Sequence, residues 1–274
     1  MADFPAQQSP RTCIYCGAYA TIVEGRRSAQ WFDGILPSRM PLERHGPGET
    51  GGTEGGTASR PQRHSARPVC DRCDSGWMRQ LQHAARAVLA PFILGHDATI
   101  APEQQRVIAA WMTMTAMTAE LARQGWGGAD AEELAAFRDR QQPSDRWCVW
   151  IGRYIGPGPR WRQHGFCNAE RPQANGAEHH SHGAAYGQLT TAAIGSLLLQ
   201  SFSNPNPEFT QLRTGFAIYH AQRSGLIPVW PVLVDRIDSN ELAFIGAARF
   251  DRLAVRILKD MDELRGGRLP SGPS

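Results

Sequence analysis

The chain has 274 residues, 41% of them apolar, and a formal net charge of +3. That length suits one large domain or two small ones, and so mild a charge does not by itself define a nucleic-acid partner. No run of about 18 apolar residues occurs, so no membrane span or membrane partner is expected. The opening "MADFPAQQSPRT" lacks the basic start and apolar stretch of a secretory signal.

Six cysteines without such a signal point to a reducing cytoplasm, where paired cysteines serve as metal ligands more often than as disulfides. The basic side chains are almost all arginine, and Lys259 is the only lysine. A GC-rich genome accounts for that bias; phosphate binding, to which the guanidinium fork is suited, is the functional alternative.

In chain order, residues 1–12 are polar. "TIVEGRRSAQWFDGILPSRM" alternates enough to hold a strand near 19–24 and another near 29–35. Residues 45–68 hold six glycines and no aromatic or large aliphatic side chain, so they read as a flexible insertion. Trp77, Leu81, Ala85, Val88 and Phe92 recur at helical spacing, as do Val107, Trp111, Thr115 and Thr118. The Trp and Met residues of 107–121 read as core positions with no cofactor role. A third helix is expected over 130–140.

From about residue 146 the texture changes. "RWCVWIGRYIG", "AAYGQLTTAAIGSLLLQSF" and "TGFAIYH" read as strands between Gly/Pro/Asn loops. "LIPVWPVL" reads as an extended edge segment, because proline cannot donate to a ladder. A closing helix is expected over 239–264 with Ser239 as its N-cap. The expected fold class is α+β: a module over 1–95, a helical segment over 96–142 and a mixed β-rich region over 143–274.

Two Cys-x-x-Cys pairs carry the strongest signal. Cys13 and Cys16 lie in "TCIYCG"; Cys70 and Cys73 lie in "VCDRCD". Each such turn offers two thiolates to one tetrahedral ion, and two turns complete a four-cysteine structural zinc site. The 53 residues between the pairs form a long loop, but closure entropy grows only logarithmically with length. Cys148 and Cys167 have no partner in spacing and read as core residues.

"CIYCG", "AQWFDGILPSRM" and "VCDRCDSGWMRQLQHAARAVLAPFILG" together resemble the zinc-knuckle branch of the HNH (ββα-metal) endonucleases. The resemblance covers residues 12 to about 95. It implies a ββα frame tied by zinc and a phosphodiester hydrolase that uses one divalent ion, Mg2+ or Mn2+, to polarise the scissile phosphate. It places Asp33 and Asp74 at the metal-holding positions, as hard oxygen ligands. The general-base histidine of the family falls on Gly34, which cannot accept a proton. The resemblance therefore implies a DNA- or RNA-associated protein with a degenerate nuclease centre. An active nuclease would need a substitute base, for which His45 and His64 at the ends of the insertion are the candidates. Arg26, Arg27 and Arg39 are the expected phosphate contacts. A zinc-stabilised subunit of a protein complex is the reading from a different class.

Two further stretches qualify. "AEHHSHGAAYG" holds Glu178, His179, His180 and His182, a tract that reads as a polar loop or as a second metal site. "GPGPRWRQHGF" sets Trp161 between Arg160 and Arg162, a composition suited to phosphate contact with base stacking, and otherwise a solvated hairpin loop.

Overall fold

A computed structural model describes residues 12–20, 43–44, 69–121, 129–167 and 186–265. The fold is α+β, as composition and pattern predict: one large, mostly antiparallel sheet with helices on both faces.

The elements, in chain order, are β1 (Glu43–Arg44), a helical turn α1 (Asp71–Cys73), a π-helical segment Asp74–Met78, α2 (Arg79–Leu94) and β2 (Thr99–Ile100). Next come α3 (Pro102–Leu121), α4 (Ala131–Arg140), β3 (Trp147–Ile155), β4 (Arg160–Cys167), β5 (Tyr186–Ile194) and β6 (Leu197–Ser203). The chain closes with α5 (Pro207–Ser224), β7 (Ile227–Trp230), β8 (Ile237–Asp238), a 3-10 turn Ser239–Glu241, β9 (Phe244–Gly246) and α6 (Ala247–Arg265). The sheet runs β1–β4–β5–β6–β3–β7, and β9 joins β3 farther along its length. β1 and β9 pair in parallel; the other pairs are antiparallel.

β3 shows why the sheet is covered twice. Its side chains alternate, and both sets are apolar: Trp147, Val149 and Ile151 on one face, Cys148, Trp150 and Tyr154 on the other. A strand apolar on both faces needs a layer on each. The first face meets α2, α3 and α4 through Leu89, Phe92, Met112, Met117, Leu134 and Phe137. The second meets α5 and α6 through Phe209, Phe216, Phe250, Leu253 and Ile257. Cys13, Tyr15, Cys70 and Cys73 belong to the first core, so the cysteine module shares its packing with the sheet.

The β5–β6 hairpin turns at Gly195, whose φ is +56°. A Cβ there would collide with the Ile93 carbonyl oxygen, so only glycine lets Ser196 N donate to Ile93 O at 2.9 Å and seat the turn on the end of α2.

Three local expectations change. "TGFAIYH" is helical, within α5. Asn206 caps that helix by accepting from Glu208 N at 2.9 Å, and Pro207 occupies its first position. Its buried residues Phe209, Phe216, Ala217 and His220 fall on one helical stripe. The C-terminal region thus carries two long helices as well as strands. "RWRQHGF" is part of strand β4, not a loop, and Arg160 and Arg162 both pair with Asp251, at 3.3 and 3.1 Å. The closing helix begins at Ala247, not Ser239: Asp238 and Glu241 form a capping box around a 3-10 turn, and β9 intervenes. The expected helix over 130–140 is present as α4, and "LIPVWPVL" does supply the sheet-edge strand β7.

Candidate metal centre

The first cysteine pair sits in a tight hairpin closed by a Thr12–Tyr19 bridge. Cys13 N donates to Ala18 O at 2.6 Å and Gly17 N to Cys13 O at 2.8 Å. Gly17 has φ +69°, the left-handed conformation that reverses the chain after Cys16 and that glycine adopts without steric cost. The second pair starts a helix. Cys70, extended at φ −79° and ψ 159°, occupies the N-cap position, and Cys73 lies in the first turn. Asp74 N donates back to Cys70 O at 3.0 Å.

All four Sγ atoms lie within 4.8 Å of one another, and Cys16 Sγ is 3.5 Å from Cys70 Sγ. A tetrahedral ion with Zn–S bonds of about 2.3 Å sets its sulfurs about 3.8 Å apart. The tetrad can therefore hold one metal ion such as zinc. Cys13, Cys70 and Cys73 are buried and Cys16 is half-buried.

The buried thiols differ in how readily they ionise. Burial pushes Cys13 up, but hydrogen bonding involving the backbones of Cys70, Tyr15 and Cys16 outweighs it and lowers the thiol to about 7. Burial raises Cys70, and its hydrogen bonds with Cys16 and Cys13 add to the rise. Burial drives Cys73 well above the usual thiol range; the Trp77 side chain opposes this, and Cys16 and Cys13 reinforce it. Cys13 thus ionises more readily than Cys70 or Cys73. A bound dication favours deprotonation of every thiol that ligates it.

The module is fastened to its surroundings by aromatic contacts. The Tyr15 and Trp77 rings meet edge to face at 5.0 Å, and Trp77 meets Phe137 at 6.0 Å. The Tyr15 hydroxyl lies 3.0 Å from Thr118 Oγ1, and burial keeps it un-ionised. Arg138 Nη1 donates to Tyr15 O at 3.0 Å, joining the knuckle to α4. Trp77 and Phe92, at their expected helical spacing, lie beside or within this core.

Asp74 follows the fourth ligand directly and is half-buried at the start of the π-helical segment, which bends at Gly76. Among the described residues, the cysteine tetrad is the one group of three or more metal-capable side chains, and Asp74 is not part of it. Asp33, Gly34, His45, His64, Arg26, Arg27 and Arg39 lie outside the described residues, as do Glu178, His179, His180 and His182. Cys167 ends β4; Cys148 is fully buried under α5, where burial raises its thiol well above the usual range. No helix among the described residues is long and apolar enough to cross a membrane.

Two buried polar clusters carry no motif that sequence reading had singled out. Glu133 on α4 accepts from Trp147 Nε1 at 2.8 Å, Ser144 Oγ at 2.7 Å and Arg146 Nη1 at 2.6 Å. Asp130, which caps α4 by accepting from Glu133 N at 2.8 Å, stands three residues earlier. This Asp-x-x-Glu spacing is a helix-start signature that marks the pair in the sequence. The other cluster joins His220, Asp260 and Gln200, and no local pattern foretells it.

No known family model matches the chain, and no curated protein or solved structure matches it. The fold and the site define an α+β protein with a candidate tetrathiolate metal centre.

Proposed function

We propose that this chain is a zinc-stabilised, nucleic-acid-associated protein of HNH-like design whose hydrolytic centre is degenerate. The observation that carries this reading is the meeting of a glycine-closed Cys-x-x-Cys hairpin with a Cys-x-x-Cys helix start, one residue before Asp74. Four thiolates in a closed tetrahedron leave zinc no open position for water, so the ion's role is structural. The cysteines fix the helix start, and the helix start fixes Asp74. A hydrolase built on this frame also needs a base, and Gly34 offers none.

The test uses the purified full chain with its metal content measured. Labelled duplex and single-stranded oligonucleotides are titrated at increasing salt, and plasmid DNA is incubated with Mg2+ or Mn2+. The reading expects one zinc per chain, binding that weakens steeply with salt, and no nicking. Nicking that disappears in Asp74→Ala replaces it with the active-nuclease reading.

Absence of any salt-dependent binding favours a zinc-stabilised assembly subunit instead. One observation supports that second reading. Phe244 and Ile155 are 57% and 56% exposed at the β3–β9 edge, and Leu94 is 50% exposed beside Gly95. Arg153 links them, stacked on Phe244 at 5.4 Å and bonded to Gly95 O. Exposed large apolar residues gathered in this way mark protein contact surfaces.

A further inference from the structure

We propose, resting on the nucleic-acid reading above, that the groove where the first turns of α2 and α3 meet the end of α4 binds one nucleotide of a single strand. The groove encloses about 390 Å3, within the range of about 300–1,000 Å3 that ligand pockets span. That is room for one nucleotide; a duplex is far larger. Leu81 and Ala84 of α2 and Val107 of α3 supply its apolar wall. On α3, Glu103, Arg106 and Val107 stand at i, i+3 and i+4, so one face of that helix lines the groove.

The end of α4 is built differently from its counterparts. α2, α4 and α5 each close on a left-handed residue. In α2 and α5 it is glycine, Gly95 at φ +76° and Gly225 at φ +72°; in α4 it is Gln141 at φ +50°. Among the described residues no other non-glycine residue has a positive φ. Glycine takes that conformation freely, whereas a Cβ there crowds the backbone. The chain thus keeps a strained glutamine at a position that glycine fills twice elsewhere, and this glutamine lines the groove. Backbone strain of this kind gathers at ligand-binding sites.

The lining selects a singly charged anion with hydrogen-bonding edges. Arg106 and Arg140 line the groove, and Glu103, also in the lining, pairs with Arg106 at 3.4 Å. Two guanidinium groups and one carboxylate leave one net positive charge, the complement of one phosphodiester. Guanidinium forks suit phosphate oxygens. Gln80, Gln141 and Gln142 each bring a carboxamide, which is donor and acceptor at once. That pairing reads base edges, and a single strand exposes the edges that a duplex hides. The apolar wall receives the flat face of the base, as the apolar lining of a pocket receives the body of its ligand.

The test titrates the metal-loaded full chain into a fluorescein-labelled single-stranded oligonucleotide and into its duplex, and reads fluorescence anisotropy. The single strand is expected to bind tighter than the duplex. Arg140→Gln and Gln141→Gly are each expected to weaken single-strand binding by about fivefold or more, and Arg252→Gln, on the exposed side of α6 across the sheet, to leave it unchanged. Gln141→Gly is also expected to raise the denaturant midpoint, because it relieves the left-handed strain. A residue kept for folding alone would lose stability and spare affinity. Circular dichroism confirms that each variant is folded. Tighter binding of the duplex, an equal loss in Arg252→Gln, or a Gln141→Gly chain no more stable than wild type overturns the proposal. Uptake in the groove of a labelled peptide with a free C-terminal carboxylate, where no strand is taken up, overturns it in favour of a peptide site. Strand binding that both groove variants leave unchanged overturns the groove and leaves the nucleic-acid reading standing; a chain that binds no oligonucleotide overturns both.

Discussion

The two faces of the central sheet bury polar groups of different kinds. On the α5–α6 face, His220 and Asp260 are fully buried and joined to each other. His220 Nδ1 lies 2.7 Å from Asp260 Oδ2, and its Nε2 lies 2.8 Å from Gln200 Oε1, while Gln200 Nε2 donates to Thr191 Oγ1 at 3.1 Å. Arg223 forms an ion pair with Asp260 Oδ1 at 3.0 Å and with Glu263 at 3.0 Å. On the α3 face, the row of Gln163, Thr190 and Ser201 is equally buried, and three of its side-chain atoms have no hydrogen-bond partner among the described residues. A paired network specifies how two helices seat on a sheet. The α3 face is also where the cysteine tetrad is anchored.

Metal removal breaks the comparison most severely. Structural zinc contributes on the order of 10 kcal/mol to small domains near neutral pH. Cys73→Ser, or a strong chelator, is expected to abolish metal binding and expose Tyr15 and Trp77 on the α3 face. Metal analysis, thermal melts and tryptophan fluorescence check this, and a chelated chain with an unchanged melt contradicts it.

Asp260→Ala comes next. It leaves His220 and Arg223 without their buried carboxylate, and removing one member of a buried charge network costs about 3–5 kcal/mol. Denaturant unfolding measures that loss, and a cost below about 1 kcal/mol would mean that the network is not a structural lock.

A change of pH sharpens the contrast more gently. Burial lowers the His220 pKa; the Asp260 hydrogen bond and charge pull it back up, and Arg256 and Arg223 lower it further. The folded state therefore binds this proton less tightly than the unfolded chain does. Its contribution is fully present above the unfolded value of about 6.5 and is lost as pH falls from there through the folded pKa. Denaturant midpoints of wild type and His220→Gln are expected to diverge above pH 6.5 and converge below it. Parallel curves would remove His220 as the cause.

The smallest effect belongs to the surface. Arg162→Gln loosens a partly exposed pair between Arg162 of β4 and Asp251 of α6, worth less than about 1 kcal/mol. A larger destabilisation would show β4 to be held by charge and not by its ladder.

Legibility in the sequence followed the range of the interaction. α2, α3 and α4 emerge from 3.6-residue spacing, and β3, β5 and β6 from apolar runs between turn residues, because each signal is local. "TGFAIYH" misled because its run of apolar and β-branched residues is as compatible with a buried helix as with a strand. The Asn206–Pro207 cap, several residues upstream, decides between them. "RWRQHGF" reads as a polar loop until β5 supplies its ladder and Asp251 takes both arginines.

What the sequence determined alone is the candidate ligand set: Cys13, Cys16, Cys70 and Cys73 declare themselves by spacing, since each pair of thiols is set by one short turn. Tertiary structure alone decided that the two pairs meet. It also decided that Glu133 receives Trp147, that His220 finds Asp260, and that Gln163, Thr190 and Ser201 share one buried row. Those partners are far apart along the chain or matched only by strand register, and no local pattern encodes a register that is fixed by burial on both faces of the sheet.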